Sequence, residues 1–523
     1  MLKIFLISLA FVTTNIIFGQ NTLISQGIFF EGEPSIAINP TNSQHLIAAW
    51  MGTQAGEKIV IKSSVSFNGG VSWSAPIWQP HLFSGNSSAD VSLGFDHSGN
   101  AFMCYIDYDN VGFSQGQVVV RKSLNGGVSW GNATEVISMN DCPNKLCIDR
   151  PWMVIDASGS SNPSSIFVTS VNANQPTMVN PPFNPYLTVS LDGGATFGTP
   201  RLVDTLSYLA GNSISQPVAT PAIDGNGSFY AMYPSYETSQ SPFPRQILSY
   251  SDNNGSGVAH VISYQGLNIG VSNSSLKRAG KLSADKSHTG HLAFCFLSEL
   301  NDQADVYMME SFDNGNSWSS MSRVNQDPIA TPRVQDLVWS DFNENGDFLV
   351  TWRDRRNATA DGYEQPSEIY AALKPFGGNF MADYPISSQA VAFDSILNES
   401  GNDFMSVVFR GDTAYAVWGD VRTGSLKIYL NKWHVQTQTS TISVIYEDED
   451  VLIYPNPVKD VLCLPEHLTL PLTISIYGLD GILIKTISAS NDYKIDVSTL
   501  KTGSYIVEFI QEKQKIRRKF VVE

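Results

Sequence analysis

Five copies of one short pattern, roughly sixty residues apart, constrain this chain more than any other feature. They are Ser66-Phe-Asn-Gly-Gly-Val-Ser-Trp73, Ser123-Leu-Asn-Gly-Gly-Val-Ser-Trp130, Ser190-Leu-Asp-Gly-Gly-Ala-Thr-Phe197, Ser311-Phe-Asp-Asn-Gly-Asn-Ser-Trp318 and a degraded copy, Ser251-Asp-Asn-Asn-Gly255. The leading serines are separated by 57, 67, 61 and 60 residues. A fixed period in this range means one supersecondary unit used repeatedly. The consensus, S-x-[DN]-x-G-x-[ST]-[WF], reads as a turn. Asp or Asn closes it through its own backbone, Gly takes a positive φ, and the aromatic packs beneath the sheet. It is a signal of fold and carries no reaction.

Strand signals surround each copy. In the first unit they fall at Pro34–Ile38, His45–Trp50, Ile59–Val65 and Ala75–Trp78, all short and separated by turn residues. The pattern resembles the Asp-box of the sialidase-like β-propellers. The resemblance rests on Ser66, Asn68, Gly70 and Trp73; Ser123, Asn125, Gly127 and Trp130; Ser190, Asp192, Gly194 and Phe197; and Ser311, Asp313, Gly315 and Trp318. It implies an all-β ring of four-stranded blades. Innermost strands are expected to begin near Glu33, Asp90, Asp149, Gln216, Ala279, Val334 and Asn402, which makes seven blades, with six as the alternative. The last unit lacks a fourth strand, and Thr22-Leu-Ile-Ser25 repeats the text of the other outermost strands. The N-terminal segment is therefore expected to close the ring and remove its exposed edges.

With 523 residues, 42% apolar and 15% charged, the chain is long enough for more than one folded domain. Residues 1–19, with Lys3 and an apolar run, read as a signal peptide. No later apolar run is long enough for a membrane span. A formal charge of −17 disfavours nucleic acid and anionic membrane as partners. Cys142 and Cys147 flank a Pro-containing loop in a compartment that permits oxidation, so a disulfide is expected there. No cofactor motif is present. Asp341-Phe-Asn-Glu-Asn-Gly346 copies the start of a calcium loop, but the required glutamate would fall at Trp352, so it reads as a hairpin turn and no metal is expected.

After the propeller (residues 20–435) a linker covers 436–450, including Glu447-Asp-Glu-Asp450. Residues 451–523 contain Tyr454-Pro-Asn-Pro457, Ile474-Ser-Ile-Tyr477, Asp480-Gly481, Asp496-Val-Ser-Thr-Leu500 and Gly503-Ser-Tyr505 in order. This segment resembles the C-terminal sorting domain of the type IX secretion system of Bacteroidetes. The resemblance implies a small immunoglobulin-like β-sandwich, read by the export machinery, and a protein secreted to the medium or held at the outer cell surface.

In such a ring the repeated turns and the Asp/Gly turns lie on one face. The loops that lead into each first strand and leave each second strand build the other, where a ligand site is expected. Weak catalytic candidates there are Asp90, Asp149, Glu237, Asp336, Asp403 and Tyr363. Ligand-binding candidates are Arg150, Arg333, Arg353, Arg355, Arg422 and Glu33, with Arg278 and Lys281 also at leading positions. Arginine forks suit carboxylate recognition, and paired carboxylates can divide acid and base roles. Trp352-Arg-Asp-Arg-Arg356 is echoed by Trp418-Gly-Asp-Val-Arg422, and that repetition favours a structural ion pair between blades for Asp354/Arg356 and Asp420/Arg422.

Sialidases carry their first catalytic arginine in an N-terminal F/Y-R-I-P motif. Here the first arginine of the chain is Arg121, and Glu33-Pro-Ser stands where that motif would be sought, so the family's catalytic set does not transfer. Two functions remain open: a surface propeller that binds extracellular glycan or protein, and a glycoside hydrolase or lyase acting on acidic sugars.

Overall fold

A computed structural model describes residues 21–435 and 453–523, apart from 161–162, 174, 176–177, 253, 268–269, 273, 278–279, 302, 330–332, 394–401, 465–471, 479–482, 490–492 and 512–513. The chain divides into two compact units, with the division after Thr437. The expected signal peptide and linker, together with Arg278, Ala279 and Asn253, lie outside the described residues.

Among the described residues, the first unit holds seven four-stranded antiparallel sheets. Their innermost strands are Glu31–Asn39, Ser87–Phe95, Asp149–Ile155, Thr220–Ile223, Lys281–Ala284, Gln335–Phe342 and Ser406–Arg410. Each packs against the next, and the last packs against the first, which makes a ring. Second strands are apolar on both faces, as in Ala101–Tyr108 and Leu292–Ser298, because each sheet is sandwiched between two others. Trp50, Trp352 and Trp418 are among the largest fully buried side chains.

The seventh sheet is completed from the other end of the chain. Thr22–Leu23 pairs antiparallel with Lys427–His434, placing Thr22 opposite Leu430 and Leu23 opposite Tyr429. The fourth innermost strand starts at Thr220, later than the Gln216 expected. Pro217 supplies no N–H, and Val218 N–H folds back to the Gln216 carbonyl at 2.9 Å, so the ladder begins only after that turn.

The repeated turns share one hydrogen-bond scheme. In the first, Asn68 Oδ1 accepts from Ser66 Oγ and from Ser72 N–H, both at 2.9 Å, and Ser66 Oγ accepts from Gly70 N–H at 2.9 Å. Asp313 and Ser311 repeat it around Gly315. The degraded copy keeps the Gly255 N–H to Ser251 Oγ bond at 3.1 Å. Cys142 and Cys147 are joined as a disulfide.

The second unit is a small β-sandwich. A four-stranded sheet, ordered Leu483–Ala489, Leu472–Gly478, Gly503–Gln511 and Gln514–Val522, is accompanied by a two-stranded sheet of Val461–Cys463 and Lys494–Asp496. Leu462, Ile474, Ile476, Ile495, Val507 and Phe520 form its shared core.

Candidate functional site

Four innermost strands begin with the same irregularity. Pairing skips between Gly32 and Ser35, Ala89 and Ser92, Asp149 and Trp152, and Asp336 and Trp339. Inside each skip a non-glycine residue takes a left-handed backbone: Glu33 (φ 50°), Asp90 (φ 56°), Arg150 (φ 48°) and Leu337 (φ 59°). Such bulges re-aim side chains, and the strain, about 1–3 kcal/mol per residue, persists only where surroundings enforce it.

Two of the expected candidates meet in one cavity. A space of about 660 Å³ between the fourth and fifth blades is bordered by Arg150, Lys277, Asp403 and Phe404, with Tyr236, Phe294 and Phe296 among its apolar walls. Arg150 Nη2 lies 2.9 Å from Asp403 Oδ2 and Lys277 Nζ lies 2.6 Å from Asp403 Oδ1. Arg150 also stacks over the Phe404 ring, 5.1 Å from its centroid. Burial works to raise the Asp403 carboxyl, but Arg150 and Lys277 outweigh it and hold the group below its ordinary value. Lys277 was not among the expected residues. Its neighbour Arg278 was, and Arg278 lies outside the described residues.

Glu33 lies behind this cluster, only 4% exposed, and accepts the Asp403 N–H at 3.3 Å. Burial, and after it the charges of Asp90 and Asp403, hold its carboxyl well above the usual range. Asp90 accepts the Arg150 N–H at 3.2 Å and borders the axial channel. Asp149 accepts a hydrogen bond from the Gln216 amide, whose side chain borders the mouth cavity.

Several other candidates are occupied elsewhere. Arg353 and Arg355, expected as ligand contacts, are 3% and 2% exposed. Arg353 clamps Asp336 with bonds of 2.7 and 2.5 Å, and Arg355 adds one of 3.1 Å. Burial raises the Asp336 carboxyl, yet the two guanidinium groups outweigh it and leave it strongly depressed. The Tyr363 hydroxyl accepts from Arg353 at 3.1 Å and is itself buried. Asp336, Tyr363 and the two arginines thus form a closed internal knot, with no free face for a ligand.

Arg422, also expected at a ligand, chelates Asp420 at 2.6–3.0 Å and stacks on Tyr429. Arg356 does the same with Asp354 and Tyr370, while Trp352 and Trp418 each donate their indole N–H to the aspartate two residues on. Asp354–Arg356 and Asp420–Arg422 each close within one blade rather than between blades as expected, although Arg356 also lies 3.8 Å from Asp327, in the connection from the preceding blade. Arg333 pairs with Asp361, and Glu237 accepts from Ser239 N–H and Oγ to close its own turn. Lys281, expected at the mouth, instead lines the axial channel.

A family model described as the secretion system C-terminal sorting domain matches residues 452–523. The match directs the chain to the type IX secretion system, for secretion and attachment at the outer surface in Bacteroidetes. No curated protein matches the chain significantly. Among solved structures, the chain is similar to the GH93 α-L-arabinofuranosidase of Fusarium graminearum, with 9% identity, TM-score 0.44, and coverage of 80% of this chain and 98% of that one. It is also similar to the phage phi92 endosialidase (12% identity, TM-score 0.43, coverage 96% and 87%). A third is a protein of unknown function from Dyadobacter fermentans (12% identity, TM-score 0.41, coverage 80% and 98%). None of these likenesses assigns an activity or substrate to this chain.

Proposed function

We propose that this chain is a surface-displayed propeller that binds an acidic sugar of an extracellular glycan in the cavity between its fourth and fifth blades. One observation carries the reading: Arg150 and Lys277 converge on Asp403 at a cavity of about 660 Å³ with aromatic walls. Asp403 is an internal counter-ion. A ligand carboxylate entering beside it meets two cations already desolvated and oriented, and the walls suit the apolar face of a pyranose.

A glycosidase reading has one observation in its favour, the protonation-prone Glu33 beside Asp90, since an acid and a base at neighbouring carboxylates serve glycoside hydrolysis. Glu33 is covered, however, and does not border the cavity. An acid that cannot reach a leaving-group oxygen does not donate to it. Binding without turnover is the reading we adopt.

The test is titration of the mature chain with sialic acid, glucuronic acid and neutral hexose, alongside a glycan array and a fluorogenic sialoside. Saturable binding of the acidic sugars alone, lost in Lys277→Met, supports the proposal. Turnover, or equal affinity for neutral hexose, overturns it.

A further inference from the structure

The axial channel holds a second cavity, of about 260 Å³, walled by the innermost strands of all seven sheets. Trp152 and Phe404 border both this cavity and the one at the mouth. Trp152 packs edge-on against Trp339 and Phe404, with centroids 5.4 and 5.5 Å apart, so three rings partition the two spaces. The channel runs from there to Pro40, Ala157, Lys286 and Arg410, on the short turns that follow first strands.

The charged groups on the channel wall are Asp90, Lys281, Lys286, Asp341 and Arg410. Asp341 Oδ2 accepts the Phe409 N–H at 2.9 Å. Arg410 donates to the Pro40 carbonyl at 3.1 Å and pairs with Glu344 at 2.5 Å. Lys281 differs. Its Nζ has no hydrogen-bond acceptor among the described residues and stands over the Trp339 ring, 5.2 Å from the centroid.

The Lys281 side chain is half-buried and its ammonium faces the channel, so water or a ligand there supplies its acceptors while the indole face is only a partial partner. Burial pushes the Lys281 amine down to about 8, although Asp341 opposes the shift. The chemistry of the missing acceptor follows from the surroundings. Of the wall's cations, Lys286 is exposed at the channel's end and Arg410 is paired, so Lys281 calls for one negative charge, and the Asp341 carboxylate, whose charge already acts on Lys281, disfavours a polyanion such as phosphate. Trp152, Trp339, Met153 and Ile155 offer apolar surface to the rest of the ligand. The volume is below the roughly 300 Å³ where drug-sized ligands begin, so an oligosaccharide is excluded.

We propose that the axial channel is a binding site for a small monocarboxylate, its carboxylate on Lys281 Nζ and its hydrocarbon part against Trp339 and Trp152. This site is separate from the mouth cavity and does not depend on what that cavity binds.

Isothermal titration of the mature full chain with sodium butyrate, sodium acetate and inorganic phosphate tests it. Butyrate is expected to bind at one site, several-fold more tightly than acetate, with phosphate the weakest. Lys281→Met should weaken butyrate at least tenfold, and Lys281→Arg should retain it. Should Lys281→Met fail to fold, the native chain still decides. Butyrate affinity should fall severalfold between about pH 7 and pH 9.5, as the amine loses its proton. No butyrate binding in the millimolar range, phosphate binding more tightly than butyrate, or an affinity indifferent both to Lys281 and to pH overturns the proposal.

Discussion

Glu33 and Asp90 occupy equivalent bulges in adjacent blades, both with left-handed backbones, and after burial it is Asp90 that most raises the Glu33 carboxyl. Two acidic side chains are thereby held close together behind the cations of the mouth. That proximity, added to burial, makes Glu33 resist ionisation.

The sign of the consequence is fixed. A carboxyl raised in the folded state contributes stability that is complete below its ordinary value of 4.5 and is lost as pH rises through the folded value. Glu33→Gln is therefore expected to flatten the pH dependence of stability above that point. It should also leave the protein more stable than the parent at neutral pH, as urea denaturation across a pH series will report.

His291 adds a second loss on the alkaline side. Burial lowers its imidazole, but hydrogen bonds to Asp285 and Glu310, at 2.9 and 2.8 Å, outweigh that and raise it above 6.5. Its contribution is complete below the unfolded value and lost as pH rises through the folded one. NMR titration of the ring should give a pKa above that of an exposed histidine, and His291→Phe should remove the corresponding slope in stability.

The knot around Asp336 supplies a larger effect. Asp336→Ala leaves Arg353 and Arg355 buried without their counter-ion, a loss of about 3–5 kcal/mol in comparable cases. Loss of glycan binding in this variant should therefore accompany loss of the fold. Circular dichroism melts separate this from Lys277→Met, which should bind weakly yet melt close to the parent.

Asp403→Asn has the opposite expectation. Removing the Asp403 charge takes away the carboxylate that competes with a ligand for Arg150 and Lys277, so affinity for an acidic sugar should rise severalfold by titration. A fall would mean that Asp403 contacts the sugar itself.

Gly315 and Gly362 make a controlled pair. Both have positive φ, 82° and 100°, but a Cβ on Gly315 would stand 2.1 Å from Leu248 Cδ2, whereas nothing lies within 4 Å at Gly362. Gly362→Ala should cost only the left-handed penalty of about 1–2 kcal/mol. Gly315→Ala should cost clearly more in the same denaturation assay, because Leu248 must move.

The ring was legible because its signals are local and periodic: a serine, an Asp or Asn, a glycine and an aromatic at fixed offsets, each satisfied within its own turn. The site was less so. Arg353 and Arg355 looked available because neither recurs in the echo at Trp418–Arg422. What removes them is Asp336, 17 and 19 positions earlier, together with Tyr363 in a following loop. Repetition pointed to ion pairs at Asp354/Arg356 and Asp420/Arg422, but it could not say that each pair closes inside one blade. Lys277 was missed because no repeated motif marks it: it lies in the loop that leads toward the fifth innermost strand.

The pairing of Thr22 with Leu430 has a consequence for biogenesis. Two stretches some four hundred positions apart complete one another, so a ribosome must release almost all of the ring before it can be sealed. Until then the final sheet offers an unsatisfied rim to any other extended peptide. A variant lacking residues 21–25 should keep six sheets intact and associate through the seventh.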